Sequence, residues 1–282
     1  MKIAILSYYY PPVNTVSAIR PFSWANTFES LGHEVQVISR HWNGDESKWE
    51  DFYKENNKSY TKEQNGKILV HRLPFQQSKD SKLIQKSRGI KKWFNHFAYL
   101  IQGKLQFNED FFSCAEPFLN EIFNEFPADF VFVTCPPFNT MRLIPKIKKL
   151  LPKAKIHSDF RDTWDNAIFK DSYKPSLKRR ILNKAMKTHL IKWCSQSDGV
   201  SSVSEPLTDY LSNTIGKPGI CIYNGFLKSK MDNVLAKRFK HFQISIVGTV
   251  YMTEEYPIFF EGLANFLERH PNDSYFSFIG AK

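Results

Sequence analysis

The chain has 282 residues, of which 42% are hydrophobic, and its formal net charge is +11. This length allows one large or two ordinary domains with a real core, and the four scattered cysteines, none in a CxxC pair, exclude a zinc ribbon or a disulfide scaffold. The positive charge favours an anionic partner, namely nucleic acid, a membrane surface or a phosphorylated substrate, although a basic surface that only aids solubility is the alternative.

The N-terminal segment predicts a strand–loop–helix–strand unit. The apolar run Ile3–Leu6 stops at aromatic residues and at Pro11 and Pro12, which cannot continue a central strand. A helical pattern follows and ends at Gly32, which takes φ > 0 without strain, and Val35–Ile38 is apolar on both faces. This order opens a parallel α/β sheet, in which ligands bind beyond the carboxyl ends of the strands.

Strands and helices continue to alternate, and we expect one doubly wound parallel sheet of about seven strands. The polar stretch from Trp42 to Asn65 is interpreted as a long excursion. A fresh strand–helix–strand unit begins at Gln243, so we expect a domain at 1–226, a linker at 227–241 and the start of an incomplete second Rossmann-like domain at 242–282. The further strands of the first domain are expected at Ile68–Leu73, Asp129–Thr134, Lys155–Asp159, Gly199–Val203 and Ile220–Tyr223.

Polar and aromatic residues follow the predicted strands and should gather at one rim of the sheet. An arginine at a helix start suits phosphate or carboxylate, and an arginine flanked by acids suits hydroxyl recognition or proton handling. We therefore take Arg161 and Asp162 as catalytic candidates. The alternative is local, with Arg161 paired to a neighbouring acid and Asp162 capping the next turn. The other rim candidates are Tyr10, Ser17, Arg20, Thr134, Pro136, Asp159, Trp164, Asn224 and Gly225.

The segment 79–107 combines basic and aromatic residues. A basic helix that carries Trp93 and Phe94 can lie in the interface of an anionic membrane. An ordinary amphipathic helix packed on the sheet explains the pattern equally well. Nucleic acid is not expected as a partner, because no recognition motif accompanies the charge.

Several motifs together resemble the family 4 type of GT-B glycosyltransferases, and most closely the bacterial subgroup that builds surface polysaccharides. They span nearly the whole chain apart from the Trp42–Asn65 and 79–107 stretches. The matching runs are ILSYYYPP, SAIRPFSWANTFESLGHEVQVIS, TCPPF, SDFRDTW, GVSSVSEPLTDYL, IYNGF and ISIVGTVY. The resemblance implies retaining transfer of a sugar from a nucleotide-sugar to a hydroxyl acceptor, without metal or cofactor. It also implies two Rossmann-like domains, the first holding the acceptor and the second the donor.

On this resemblance the rim residues take roles. Tyr10, Ser17, Arg20, Thr134, Pro136, Asp159 and Trp164 are expected to bind the acceptor, and Asn224, Gly225, Gly248 and Tyr251 the donor. The family's two-glutamate donor motif would fall after Lys282, so we expect the chain to be incomplete for catalysis, or to be completed by a second chain.

The resemblance leads us to expect a cytoplasmic glycosyltransferase at the inner face of the plasma membrane. It would act on a saccharide or a lipid-linked acceptor in the synthesis of lipopolysaccharide or capsule. No leader-like segment precedes Ile3 and no stretch approaches the roughly 20 apolar residues of a membrane span, which agrees with this location. The alternatives are a non-catalytic sugar- or nucleotide-binding partner subunit, and another GT-B enzyme such as a nucleotide-sugar epimerase.

Overall fold

The computed structural model describes residues 1–46, 49–56, 58–77, 79–101, 110–165, 176–225, 238–248, 256–271 and 273–279. The chain divides into two compact units, Met1–Gly225 and Phe226–Lys282. Among the described residues, no helix combines the length and the apolar character needed to cross a membrane.

The first unit is built on an eight-stranded sheet whose order is β3-β4-β2-β1-β5-β6-β7-β8. All neighbouring strands are parallel except β3 and β4, which are antiparallel. The seven parallel strands confirm the expected number. The strands are β1 (Lys2–Ser7), β2 (Glu34–Arg40), β3 (Thr61–Asn65), β4 (Ile68–Leu73), β5 (Phe130–Cys135), β6 (Lys155–Phe160), β7 (Gly199–Ser202) and β8 (Gly219–Cys221).

The strand order reverses between β1 and β5, because the chain adds strands on one side up to β4 and on the other side from β5 onwards. Such a switch point opens a crevice at the carboxyl ends of the strands. The helices of this unit are α1 (Val16–Ser30), α2 (Lys79–Lys86), α3 (Gly89–Ile101), α4 (Phe111–Ala115), α5 (Leu119–Glu125), α6 (Ile144–Leu150), α7 (Leu177–Cys194) and α8 (Glu205–Ile215). Short 3-10 turns lie at Trp49–Tyr53, Glu116–Phe118 and Phe138–Leu143.

The sheet separates two hydrophobic clusters. The smaller cluster lies under α1, where Ala25 packs with Ile5 and Val37. The larger one contains Leu6 of β1, Ile122 of α5 and residues of β5, β6 and the later helices. Because both faces are covered, the parallel strands are apolar on both sides, as the runs in the sequence predicted.

Two features of the first unit differ from the prediction. The Trp42–Asn65 excursion contains the edge strand β3, which the sequence analysis missed because every residue of TKEQN is exposed and none is apolar. The apolar patterns of 111–126 and 138–151 each predict one helix, but each of the two segments is divided into α-helical and 3-10 parts. The three cysteines Cys114, Cys135 and Cys194 are buried and free, and Cys221 is half-buried and free.

The second unit consists of β9 (Phe242–Val247), α9 (Tyr256–Arg269) and β10 (Ser274–Ile279) within its described residues. The two strands pair in parallel, with Ile244 opposite Phe276. This is the strand–helix–strand unit that the sequence predicted. The linker from 227 to 237 lies outside the described residues.

Candidate functional site

A row of hydroxyl and carboxyl side chains crosses four neighbouring strands near their carboxyl ends. Ser7 of β1 is in register with Thr134 of β5, Thr134 with Asp159 of β6, and Asp159 with Ser201 of β7. Residues in register on adjacent strands point to the same face of a sheet. All four are buried. The carboxyl edge of an otherwise apolar sheet therefore carries a continuous polar strip.

Asp159 is the centre of this strip, and its partner is Arg20 on α1. Arg20 Nη2 donates to Asp159 Oδ1 over 2.7 Å and Nε donates to Oδ2 over 3.0 Å. Thr134 Oγ1 donates to Oδ2 over 3.0 Å and Ser201 Oγ donates to Oδ1 over 2.6 Å. The carboxylate thus accepts four hydrogen bonds at a fully buried position. A buried charge needs such pairing to be tolerated.

The Arg20 guanidinium also reaches the segment that follows β8. Its Nη1 donates to the carbonyl oxygens of Ile222 over 2.7 Å and of Tyr223 over 3.5 Å, and its Cζ lies 4.6 Å from the ring centroid of Trp24. All three nitrogens of the guanidinium are therefore engaged within the protein.

Arg20, Asp159 and Thr134 are among the residues that the resemblance led us to expect at the acceptor. In the structure these side chains are buried and bind one another. An acceptor could contact them only after their own hydrogen bonds had broken, and acceptor binding by these three residues stays a prediction.

Arg161, one residue after β6, has the opposite character. It is half-buried, and its Nε and Nη1 atoms are shielded from solvent without a hydrogen-bond partner among the described residues. Burial raises the pKa of the nearby Cys135 thiol well above its usual value, and the Arg161 backbone N–H acts in the opposite direction. Burial lowers the pKa of the guanidinium, and the carboxylates of Asp162 and Asp159 act in the opposite direction.

The predicted local role for Arg161, a pair with a neighbouring acid, is not observed among the described residues. The side chain of Asp162 is exposed next to it. An unsatisfied buried donor costs about 1–3 kcal/mol, so this guanidinium is suited to an incoming acceptor of hydrogen bonds. Its planar fork matches a carboxylate or phosphate.

Tyr10 and Trp164 lie deeper than expected for residues that bind an acceptor. Tyr10 belongs to the cluster under α1, and burial raises the pKa of its phenol to about 12. Trp164 packs edge-on against Phe138, with ring centroids 6.4 Å apart. Both are at most 3% exposed, and neither polar atom has a partner among the described residues. Both residues contribute to the hydrophobic clusters.

The remaining candidates are more accessible. Ser17 and Pro136 are half-buried, and Asn224 and Gly225 are exposed at the end of the first unit. Gly248 follows β9 in the second unit and has a φ of 107°, a conformation that favours glycine. Tyr251 lies outside the described residues.

Arg40, at the end of β2, is a buried arginine that the sequence analysis missed. It donates to the carbonyl oxygens of Phe52 and Lys54, each over 3.0 Å, and to the Tyr8 hydroxyl over 2.8 Å. Its Cζ lies 3.8 Å from the centroid of Phe75 and 4.1 Å from that of Trp42. Arg40 therefore anchors the polar excursion to the rim of the sheet. No local sequence signal separates such an anchor from a surface arginine.

Comparison with known proteins identifies the fold. No protein-family model matches the chain, and a search of curated proteins gives no match. The catalytic domain of starch synthase IV from Arabidopsis thaliana, bound to ADP and acarbose, is similar in structure, with a TM-score of 0.54 at 13% identity. The alignment covers 99% of this chain and 68% of that one.

Two further solved structures align less closely. Sucrose-phosphate synthase from Thermosynechococcus elongatus has a TM-score of 0.40 at 12% identity over 80% of this chain and 90% of its own. UGT73P12 from Glycyrrhiza uralensis, complexed with glycyrrhetinic acid 3-O-monoglucuronide, has a TM-score of 0.45 at 10% identity over 98% of this chain and 68% of its own.

The parallel α/β sheet and the likeness to starch synthase IV place the chain in the Rossmann-like GT-B fold class. This agrees with the fold that the sequence motifs implied.

Proposed function

We propose that the protein is a glycosyltransferase that moves a sugar from a nucleotide-sugar donor to a hydroxyl acceptor, with the acceptor at the carboxyl edge of the first unit. The fold supports this class, since it is shared with starch synthase IV. Fold alone does not define function, so the proposal depends on the rim of the sheet.

The observation that carries the proposal is the contrast between Arg20 and Arg161. Arg20 is fully engaged in the interior, whereas two nitrogens of Arg161 have no hydrogen-bond partner among the described residues and lie at the carboxyl edge beside the exposed Asp162 carboxylate. A guanidinium can hold an acceptor group, and an adjacent carboxylate can take or orient the hydroxyl proton. We assign these two residues to the site on that basis.

The finer parts of the proposal follow from the sequence motifs. We place the enzyme in the family 4 type, with retaining stereochemistry, and its reaction in the synthesis of lipopolysaccharide or capsule at the cytoplasmic face of a bacterial membrane. The acceptor would be a saccharide or a lipid-linked one. Asn224, Gly225, Gly248 and Tyr251 would contact the donor. A second chain would supply further donor-binding residues.

Nucleoside diphosphate release from a panel of UDP-, GDP- and ADP-sugars tests the reaction. Once a second chain supplies the further donor-binding residues, we expect one donor to be turned over. In that assay Asp162→Asn should lower kcat about 10²- to 10⁴-fold, the range for loss of general acid–base catalysis. Asp209→Asn removes an exposed carboxylate on α8 and should leave kcat unchanged. Full activity of Asp162→Asn would refute the role of that residue.

The stability of an Arg161 variant distinguishes a binding role from a structural one. Replacing an unpartnered buried polar group by an apolar one is neutral or stabilising, so Arg161→Met should not lower the free energy of unfolding, yet it should weaken binding or turnover. A destabilised Arg161→Met variant would show that the guanidinium is structural. With the second chain present, donor binding without turnover would favour the non-catalytic subunit, and neither binding nor turnover of any donor would refute the proposal.

A further inference from the structure

Helix α3 carries an apolar face that the protein leaves exposed. Ile90, Trp93, Phe94 and Phe97 follow one another at helical spacing and therefore share one side of α3. Ile90 is 76% exposed, Phe94 58% and Trp93 43%. The rings of Trp93 and Phe97 are stacked with centroids 5.6 Å apart. Large apolar side chains grouped in this way on a surface mark an interaction site.

Positive charge surrounds this apolar face. The sequence from 79 to 101 contains six basic residues and one acidic residue. Lys82 is paired with Glu55, with Nζ and Oε1 2.8 Å apart. For Lys86, Arg88, Lys91 and Lys92, all exposed, the described residues provide no salt bridge. The surface therefore offers uncompensated cations around exposed aromatic rings.

The neighbouring helix extends this composition. α3 packs against α7, and α7 contains no acidic residue. The first turns of α7 expose Leu177 (72%) and Ile181 (46%), with the basic residues Arg179, Arg180 and Lys184 also exposed. Two adjacent helices thus share one pattern of exposed apolar and basic side chains.

We propose that α2, α3 and the first turns of α7 form a surface that docks on an anionic lipid bilayer. Charge complementarity identifies this partner, since a bilayer with anionic headgroups satisfies the cations while its acyl boundary takes up the aromatic and aliphatic side chains. Nucleic acid would satisfy the cations but would leave Ile90, Leu177 and Ile181 in water. The inference is independent of sugar transfer, and its readout requires no activity.

Flotation with vesicles tests the docking. We expect the wild-type chain to bind vesicles made of equal parts phosphatidylglycerol and phosphatidylcholine, and not to bind pure phosphatidylcholine. Each Lys or Arg near an anionic leaflet strengthens binding about fivefold, so Lys91→Glu with Lys92→Glu should weaken it by roughly 25-fold or more. The matched control is Lys149→Glu with Lys153→Glu, two exposed lysines outside the surface, which should weaken binding much less.

The apolar part of the surface needs a second pair of variants. Trp93→Ser with Phe94→Ser should lose the binding that persists at high salt, because insertion of rings is not screened. The control variant Ile258→Ser with Phe259→Ser removes exposed apolar side chains from α9. It should retain the vesicle binding that persists at high salt. Circular dichroism checks that each variant is folded.

Three results would overturn the proposal. The first is a wild-type chain that does not bind the anionic vesicles at low ionic strength. The second is an equal loss of vesicle binding in the Lys91/Lys92 and the Lys149/Lys153 variants, which would assign the binding to overall charge. The third is RNA that binds the wild-type chain more tightly than the vesicles and is released by the same lysine variants.

Discussion

Arg20 and Asp159 are separated by 139 residues in the chain and form a buried ion pair, with N–O distances of 2.7 and 3.0 Å. The pair joins the first helix to the centre of the sheet, and Arg20 continues to the Ile222 carbonyl after β8. One side chain thus connects three parts of the first unit that are remote in sequence.

Arg20→Met should destabilise the first unit strongly. It leaves the Asp159 carboxylate buried without its cation, and removal of one partner from a buried pair costs about 3–5 kcal/mol. Urea denaturation measures this loss. Lys155→Met is the control, because it breaks the exposed pair with Asp198 and should cost about 0–1 kcal/mol. Equal values for the two variants would contradict the central role of Arg20.

His71 makes the stability of the first unit dependent on pH. Its Nε2 is 2.6 Å from Gln36 Oε1 and its Nδ1 is 2.7 Å from the Tyr60 hydroxyl, as fits a neutral ring. Burial lowers its pKa from 6.5 to about 4, with Lys62 acting in the same direction. As the pH falls, the unfolded chain therefore takes up a proton at His71 before the folded chain does. The contribution of neutral His71 to stability is complete above pH 6.5 and is lost as the pH falls towards 4.

Between pH 6.5 and 4 the free energy of unfolding should fall by about 3 kcal/mol because of His71, since each unit of pKa difference corresponds to about 1.4 kcal/mol. Urea denaturation at a series of pH values measures the free energy of unfolding. As the pH falls from 6.5 to 4, this free energy should decrease less for His71→Gln than for the wild type. His33→Gln removes a half-exposed ring at a turn and should preserve the wild-type profile. Identical slopes for the wild type and His71→Gln would exclude this role.

Two glycine substitutions should have effects of opposite sign. A Cβ at Gly219 in β8 would lie 2.9 Å from Thr208 Cγ2 and 3.0 Å from Ser212 Cβ, so Gly219→Ala should destabilise the first unit by about 1–3 kcal/mol. A Cβ at Gly262 in α9 meets nothing within 4 Å, so Gly262→Ala should stabilise its helix by about 0.5–1 kcal/mol. Amide hydrogen exchange in each unit measures both effects, and a stabilised Gly219→Ala would refute the packing argument.

The apolar runs predicted the parallel strands well, because a buried parallel strand has to be apolar on both faces. β3 was missed for the converse reason: an exposed edge strand pairs through its backbone and needs no apolar residue. The pairing of Arg20 with Asp159 was also missed. Sequence spacing places both at the rim. It does not show that the Asp159 carboxylate would pair with Arg20 rather than with Arg161, whose Nε and Nη1 have no partner within the described part of the chain.

The position of Arg20 has a consequence for synthesis on the ribosome, where the N-terminal part of a chain emerges first. Helix α1 is complete long before its partners exist, because Asp159 and the Ile222 carbonyl emerge much later. Until then, docking of α1 on the nascent sheet would bury a cation with no counter-charge. The emerging chain should therefore keep α1 loosely attached until β6 has been added, and should fix it only when the segment after β8 has left the ribosome.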